Sequence, residues 1–253
     1  MDKSIFRQRI RFAARLAIKH FAVCMLIASG AAWLVFGFWY AGVMSTLFRV
    51  SAIYFLLLGV DVVCGPLLTL VLASPDKSRR ELIMDLSLIG VIQLAALGYG
   101  LYVLEESRPV AIVFEADRLV AVGKNELYLS DCAGGELGNL GCEFPPWKKI
   151  EWTVARKPED VIKSMELSLQ GVSVSMRPVL WQKWNWNNAE IQKNIKPIAQ
   201  IEDKLKKIEK ADNKLPKKDL FFLPLTSSRD MNWIAVFDRD GKWVDSMPID
   251  GFI

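Results

Sequence analysis

The sequence predicts an α+β protein in two parts. Residues 1–106 read as a three-helix transmembrane bundle, and residues 107–253 as an outer α+β domain with an antiparallel sheet. Three observations predict this. Apolar runs at about 21–40, 50–72 and 86–104 are each near the ~20 residues that cross a hydrocarbon core of about 30 Å. The composition turns polar at Ser107 and stays so to Ile253. The polar half alternates strand and turn signals and closes on Asp240-Gly241, a strong hairpin signature.

Composition bounds the function. A hydrophobic fraction of 52% over 253 residues fits a membrane protein with a sizeable soluble part. The formal charge of +4 is mild and gives no nucleic-acid signal. The only histidine, His20, sits at a membrane edge, which excludes His-based triads and multi-His metal sites from the soluble half.

Residues 1–20 carry Lys3, Arg7, Arg9, Arg11, Arg15 and Lys19 against Asp2, with Ile5, Phe6, Ile10, Ala13 and Ala17 at helical spacing. This is either an amphipathic helix on the cytoplasmic headgroups or a plain positive-inside anchor. The apolar run that follows continues past Ala28–Ala32 to Trp39. It is too long for a typical signal-peptide core and reads as uncleaved. Trp39 and Tyr40 read as interfacial aromatics. Lys77, Arg79 and Arg80 lie between the second and third runs. The positive-inside rule then puts the N-terminus in the cytoplasm and the soluble domain outside.

The second run, Val50–Leu72, holds Asp61 near its middle and Gly65-Pro66 a turn later. A carboxylate at mid-bilayer costs about 2.5–3.5 kcal/mol on insertion scales, so it is protonated, paired or faces a protein partner. Pro66 removes an N–H and predicts a kink, and Gly65 avoids the clash that precedes proline. Counted from the outer ends of their runs, Asp61 and Gln93 lie at one depth. They form a candidate intramembrane polar pair, with a partner helix as the rival destination for Asp61.

In the soluble part, Val110–Phe114 and Leu119–Val122 read as strands. Cys132 and Cys142 bracket a glycine-rich loop and read as a disulfide, because outside the cytoplasm such a pair is readily oxidised; the rival, a metal or redox pair, lacks C-x-x-C spacing and a nearby histidine. Pro158–Leu169 reads as a helix ended by Gly171, and Val172–Trp181 as a strand. Trp181, Trp184 and Trp186 form an aromatic cluster that packs in a core or binds a sugar or a partner. Ala189–Ala211 reads as a helix broken at Pro197. The lysines from Lys204 to Lys218 alternate with Glu202, Asp203 and Glu209 as a solvated face. Trp233–Phe237 and Lys242–Asp245 flank the hairpin turn. Asp238 and Asp240 are explained by turn chemistry; Asp245 and Asp250 have no partner readable from the sequence.

There is no Gly-rich phosphate loop, nucleophile elbow or metal-ligand cluster. The expectation is therefore a non-enzyme with no catalytic residue, cofactor, metal or small-molecule substrate.

The basic start, the three apolar runs and the string Val60-Asp61-Val62-Val63-Cys64-Gly65-Pro66-Leu67-Leu68-Thr69 resemble the type IV pilin accessory proteins of the TfpX/TfpZ type. The polar step Lys77–Asp85 and the segment from Arg108-Pro109 to Arg118 add to the resemblance, which covers about the first half of the chain. It implies a multi-pass inner-membrane protein with a periplasmic domain, working beside the major type IV pilin on its stability, assembly or display. On that basis Asp61, Gly65, Pro66 and Thr69 are candidate pilin-binding residues, with the second span offering a groove to the pilin's apolar helix. Two other readings stand beside this chaperone-like one. One is a regulatory membrane protein of another envelope system. The other is a membrane enzyme that modifies pilin or glycan.

Overall fold

The computed structural model describes residues 3–130, 142–205 and 219–252. The chain forms two compact units, Met1–Glu106 and Ser107–Ile253.

The first unit is helical. α1 (Lys3–Leu34) runs without a break into a π-helical turn, Val35–Trp39. The basic lead-in and the first span are thus one rod, with 32 residues in α1 alone, or about 48 Å at ~1.5 Å per residue. No glycine or proline stands between Lys3 and Ser29 to divide it. α2 (Met44–Leu47) is a single turn that buries Met44 and Leu47. The second span is built from α3 (Val50–Gly59), a π-helical turn Val60–Cys64, and α4 (Gly65–Leu72). α5 (Arg79–Ser107) follows a capping box: the Ser78 hydroxyl accepts from the Glu81 N–H at 3.3 Å, and the Glu81 carboxylate accepts from the Ser78 N–H at 2.9 Å. Among the described residues, Phe6–Trp39, Val50–Leu72 and Arg79–Ser107 are long and apolar enough to cross a membrane.

α1 turns small residues inward. Ala13, Ala17, Ala28 and Ala31 are buried, which lets neighbouring helix backbones approach closely. Trp39 and Tyr40, read as interfacial aromatics, are buried within the unit. Tyr40 is 2% exposed and its hydroxyl donates to the Leu104 carbonyl at 2.8 Å.

The second unit carries β1 (Pro109–Glu115), β2 (Arg118–Gly123), β3 (Glu151–Ala155), α6 (Val161–Leu169), β4 (Trp181–Lys183), α7 (Ala189–Asn194), β5 (Lys196–Pro197), α8 (Glu202–Leu205), β6 (Phe221–Thr226), β7 (Trp233–Phe237) and β8 (Trp243–Met247). The strand order is β4-β3-β1-β2-β6-β7-β8, with β5 also paired to β6. The sheet is mixed and corrects the antiparallel expectation: β1–β3 and β2–β6 are parallel. Hairpin signals are local and were legible; parallel pairs join strands separated by long crossovers and leave no local trace.

One further element differs from expectation. Val172–Leu180 is not a strand but two 3₁₀ turns, Val174–Met176 and Pro178–Leu180, and pairing begins only at Trp181. Pro178 has no N–H to give a ladder, and the Ser175 N–H is taken by the Glu115 carboxylate at 3.0 Å. The helical segment expected from Ala189 is interrupted around Pro197 as expected: α7 ends at Asn194, Lys196–Pro197 is extended, and a 3₁₀ turn from Ile198 leads into α8.

Cross-strand partners share a face, so the register defines the core. Trp152 pairs with Ile112, Ile112 with Ala121, Leu119 with Leu225, Leu223 with Ala235, and Phe237 with Trp243. Adjacent strands rotate by about 20–25° each. Over this many strands the sheet curls until its ends meet on that face: the Trp152 ring on β3 lies 5.1 Å from Trp243 on β8 and 6.1 Å from Phe237 on β7. Ile112, Leu119, Ala121, Leu223, Leu225 and Ala235 fill the concave side and are fully buried. The convex side is covered in two patches, one around Val113, Val122, Phe144 and Trp181, the other around Phe222, Ile234, Val236 and Ile201. Arg108, immediately before β1, is 2% exposed; its guanidinium donates to the carbonyls of Phe144 at 2.8 Å and Pro145 at 2.7 Å, tying that loop to the sheet.

Candidate functional site

The helical unit is held by polar contacts spaced four residues apart along α1. His20 Nδ1 and the Thr69 hydroxyl are 2.6 Å apart, and Thr69 is completely buried. Cys24 Sγ lies 3.7 Å from the Gln93 amide nitrogen of α5. The Ala28 carbonyl accepts from the Tyr54 hydroxyl at 2.5 Å. Positions 20, 24 and 28 fall on one face of a helix, so α1 presents a polar seam to its neighbours.

The middle rung is where the second span departs from α-helical pitch. In the π-helical turn Val60–Cys64 a carbonyl pairs with the N–H five residues on. For Asp61 that residue is Pro66, which has no N–H. The Asp61 carbonyl therefore lacks its π-helical donor, and the Gln93 side-chain amide donates to it at 2.5 Å. Because Gln93 also reaches Cys24, one side chain ties all three spans. Gly65 makes this possible: it is buried, and a Cβ built there would overlap the Gln93 amide group.

Asp61 and Gln93 thus meet, but through a main-chain oxygen rather than the carboxylate. Asp61 is 8% exposed, and neither of its carboxylate oxygens nor Gln93 Oε1 makes a hydrogen bond. They line a cavity of about 30 Å³ together with Cys24 and Tyr54. That is room for a water molecule, or for one polar group from outside the unit. Of the residues proposed to meet a partner, Asp61, Gly65 and Thr69 are buried inside the unit, and Pro66 is half-buried. The exposed side of the second span is instead formed by Val63, Leu67, Leu68 and Val71. Sequence reasoning missed His20, Cys24 and Tyr54; the four-residue spacing of His20, Cys24 and Ala28 was the signal that could have found the seam.

In the second unit, Cys132 and the rest of residues 131–141 lie outside the described residues, so the Cys132–Cys142 pair is not described. Cys24 and Cys64 are free, whereas Cys142 is not a free thiol. The lysines from 206 to 218 also lie outside the described residues. The three tryptophans divide. Trp181 is buried against Phe144 and donates its indole N–H to the Ser175 carbonyl at 2.9 Å. Trp184 and Trp186 join the rings at the meeting ends of the sheet. Asp245, unexplained from sequence, accepts from the Ser246 N–H and gives its carbonyl to the Trp243 indole, which occupies backbone groups of the edge strand β8. Among the described residues no group of three or more His, Cys, Asp or Glu could hold a metal ion.

Comparison with known proteins gives these features a family. The family model for fimbrial assembly protein FimB matches residues 8–40, the stretch that carries the inward face of α1. Fimbrial assembly proteins of serogroup I and serogroup E1 from Dichelobacter nodosus are each 33% identical over 261 residues, covering 97% of this chain and 98% of the relative. A fimbrial assembly protein of serogroups C1 and C2 from the same organism is 40% identical over 125 residues, 49% of this chain and 95% of the relative. No solved structure matches. Since the similarity to the serogroup I and E1 proteins runs through both units, the chain belongs to the fimbrial assembly protein family, the accessory proteins of type IV pili.

Proposed function

We propose that this protein is an inner-membrane accessory factor that binds the major pilin of a type IV pilus, chaperone-like and without catalytic activity of its own. The observation that carries this reading is the full-length relationship to proteins named for fimbrial assembly, which includes the helical unit and the sheet unit together. The basic residues Lys77, Arg79 and Arg80 between the second and third spans, and those before the first, support an N-terminus in the cytoplasm and a sheet unit in the periplasm. In that compartment Cys132 and Cys142 form a disulfide. Alkylation of denatured protein before and after reduction should then show two further reactive thiols after reduction.

The geometry refines where pilin would sit. The polar seam is used internally, so the face offered to an apolar pilin helix is the outward side of the second span, Val63, Leu67, Leu68 and Val71. Behind that face the Gln93 amide donates to the Asp61 carbonyl of the π-helical turn. The test is co-purification of pilin with the solubilised full-length protein, combined with photocrosslinking from positions 67 and 71. Pilin captured from both positions is the expected result. Pilin that co-purifies but is never captured there moves the contact to the sheet unit. Absence of pilin under both measurements refutes pilin binding.

A further inference from the structure

The concave side of the sheet is filled with aliphatic side chains except at one end, where five aromatic residues gather. Trp152 is the hub. It stands edge-to-face with Trp184 at 5.2 Å, with Trp243 at 5.1 Å and with Phe237 at 6.1 Å between ring centroids. Trp186 leans on Phe237 at 5.1 Å and covers Gly241, whose φ of 76° belongs to the hairpin turn. Phe237 is buried, whereas all four tryptophans are half-buried. Trp152, Trp184, Phe237 and Trp243 line an open hollow of about 300 Å³, the size at which small-ligand sites begin.

This is more than core packing. A tryptophan buried only to complete a core sends its indole N–H to a fixed acceptor, as Trp181 does here. Trp243 also has one, in the Asp245 carbonyl and the Ser246 hydroxyl. The indole N–H groups of Trp152, Trp184 and Trp186 have no acceptor among the described residues, and none is sealed from solvent. The hollow is therefore lined by aromatic rings, two of which, Trp152 and Trp184, keep an unspent indole donor. A pyranose ring matches both. Its axial C–H groups carry partial positive charge and lie against the electron-rich face of an aromatic ring, while its hydroxyls accept from indole N–H groups. A purely aliphatic side chain would leave the donors unused, and a bare anion would have no call on the ring faces.

We propose that this aromatic hollow is a saccharide-binding site that takes one pyranose ring of an oligosaccharide. The inference is independent of pilin binding and of the intramembrane seam.

The experiment uses the full-length protein in lipid nanodiscs free of glycoside detergent, titrated with chitotetraose, cellotetraose and maltotetraose while tryptophan fluorescence is followed. A saturable change with at least one tetrasaccharide is expected. Trp184→Ala should weaken binding about tenfold, the scale of one lost aromatic contact. Trp184→Phe, which keeps a ring face but loses the N–H, should fall between the two. Trp147→Ala is the control, because Trp147 is 74% exposed and outside the hollow. If Trp184→Ala loses its native melting transition, Trp243→Ala is read in its place. Response to chitotetraose alone identifies an N-acetylated amino sugar as the ligand, and response to all three a general pyranose site. No saturable change with any of them, or unaltered affinity in a folded Trp184→Ala, overturns the proposal. So does loss of pilin co-purification in Trp184→Ala without any saccharide response, which would assign the hollow to a protein contact.

Discussion

Gly65→Ala probes the reasoning about the second span most directly. A methyl group at position 65 would occupy the place of the Gln93 amide, so Gln93 must withdraw and the Asp61 carbonyl loses its donor. Hydrogen bonds between membrane helices average about 0.6 kcal/mol and reach about 1.7. The upper end applies here, because Pro66 leaves that carbonyl without its π-helical donor. Two other terms act on the single substitution. Alanine favours a helix over glycine by about 1 kcal/mol, and a Cβ before proline resists helical backbone. Both are the same whether or not Gln93 is present, so a double-mutant cycle removes them. With Gln93→Ala as the second arm, the methyl of Gly65→Ala enters space the amide has left. The predicted coupling energy is therefore about 1.5 kcal/mol, with Gly65→Ala destabilising in the native background and neutral or stabilising beside Gln93→Ala. The assay is reversible unfolding of the purified protein in mixed micelles, titrated with a denaturing detergent. Additivity within about 0.5 kcal/mol would refute the claim that Gln93 caps the Asp61 carbonyl.

Three more expectations rest on other parts of the structure. Thr69→Val keeps the shape of a fully buried side chain but removes the partner of His20, and should cost about 1 kcal/mol in the same unfolding assay. Arg108→Leu leaves the Phe144 and Pro145 carbonyls without their charged donor and should cost about 3 kcal/mol, read as a lower melting temperature and faster proteolysis near residue 145. Gly241→Ala forces a left-handed φ on a residue with a Cβ and presses on Trp186; a loss of about 1–2 kcal/mol and a shifted tryptophan emission are expected, whereas an unchanged melting temperature would mean that the turn is laxer than described.

What could be read in the sequence followed from local chemistry. Three apolar runs fix three helices whatever their neighbours do, because a backbone in hydrocarbon must satisfy itself. Asp160, which caps α6 by accepting the Lys163 N–H at 2.9 Å, and Asp238, which accepts from Asp240 and Lys242 in the hairpin turn, act within a few residues of themselves. Such elements were legible. The short strand Glu151–Ala155 was not, since five residues with two alternating apolar positions become a strand only when β1 and β4 lie on either side. Asp61 and Gln93 could be matched by depth, but depth does not say which atoms meet. Pro66 withdraws an N–H from the turn before it, and that places the Gln93 amide on a carbonyl and leaves the carboxylate in a cavity. Likewise Trp152, Trp184, Phe237 and Trp243 are scattered over about 90 residues, and only the accumulated twist of the sheet gathers them. The three apolar helices, the capped helix α6, the closing hairpin and the division into an apolar helical part and a polar domain follow from neighbours along the chain. The seam, the strand Glu151–Ala155, the mixed sheet and the aromatic hollow depend on neighbours across the chain, which come together only in the folded molecule.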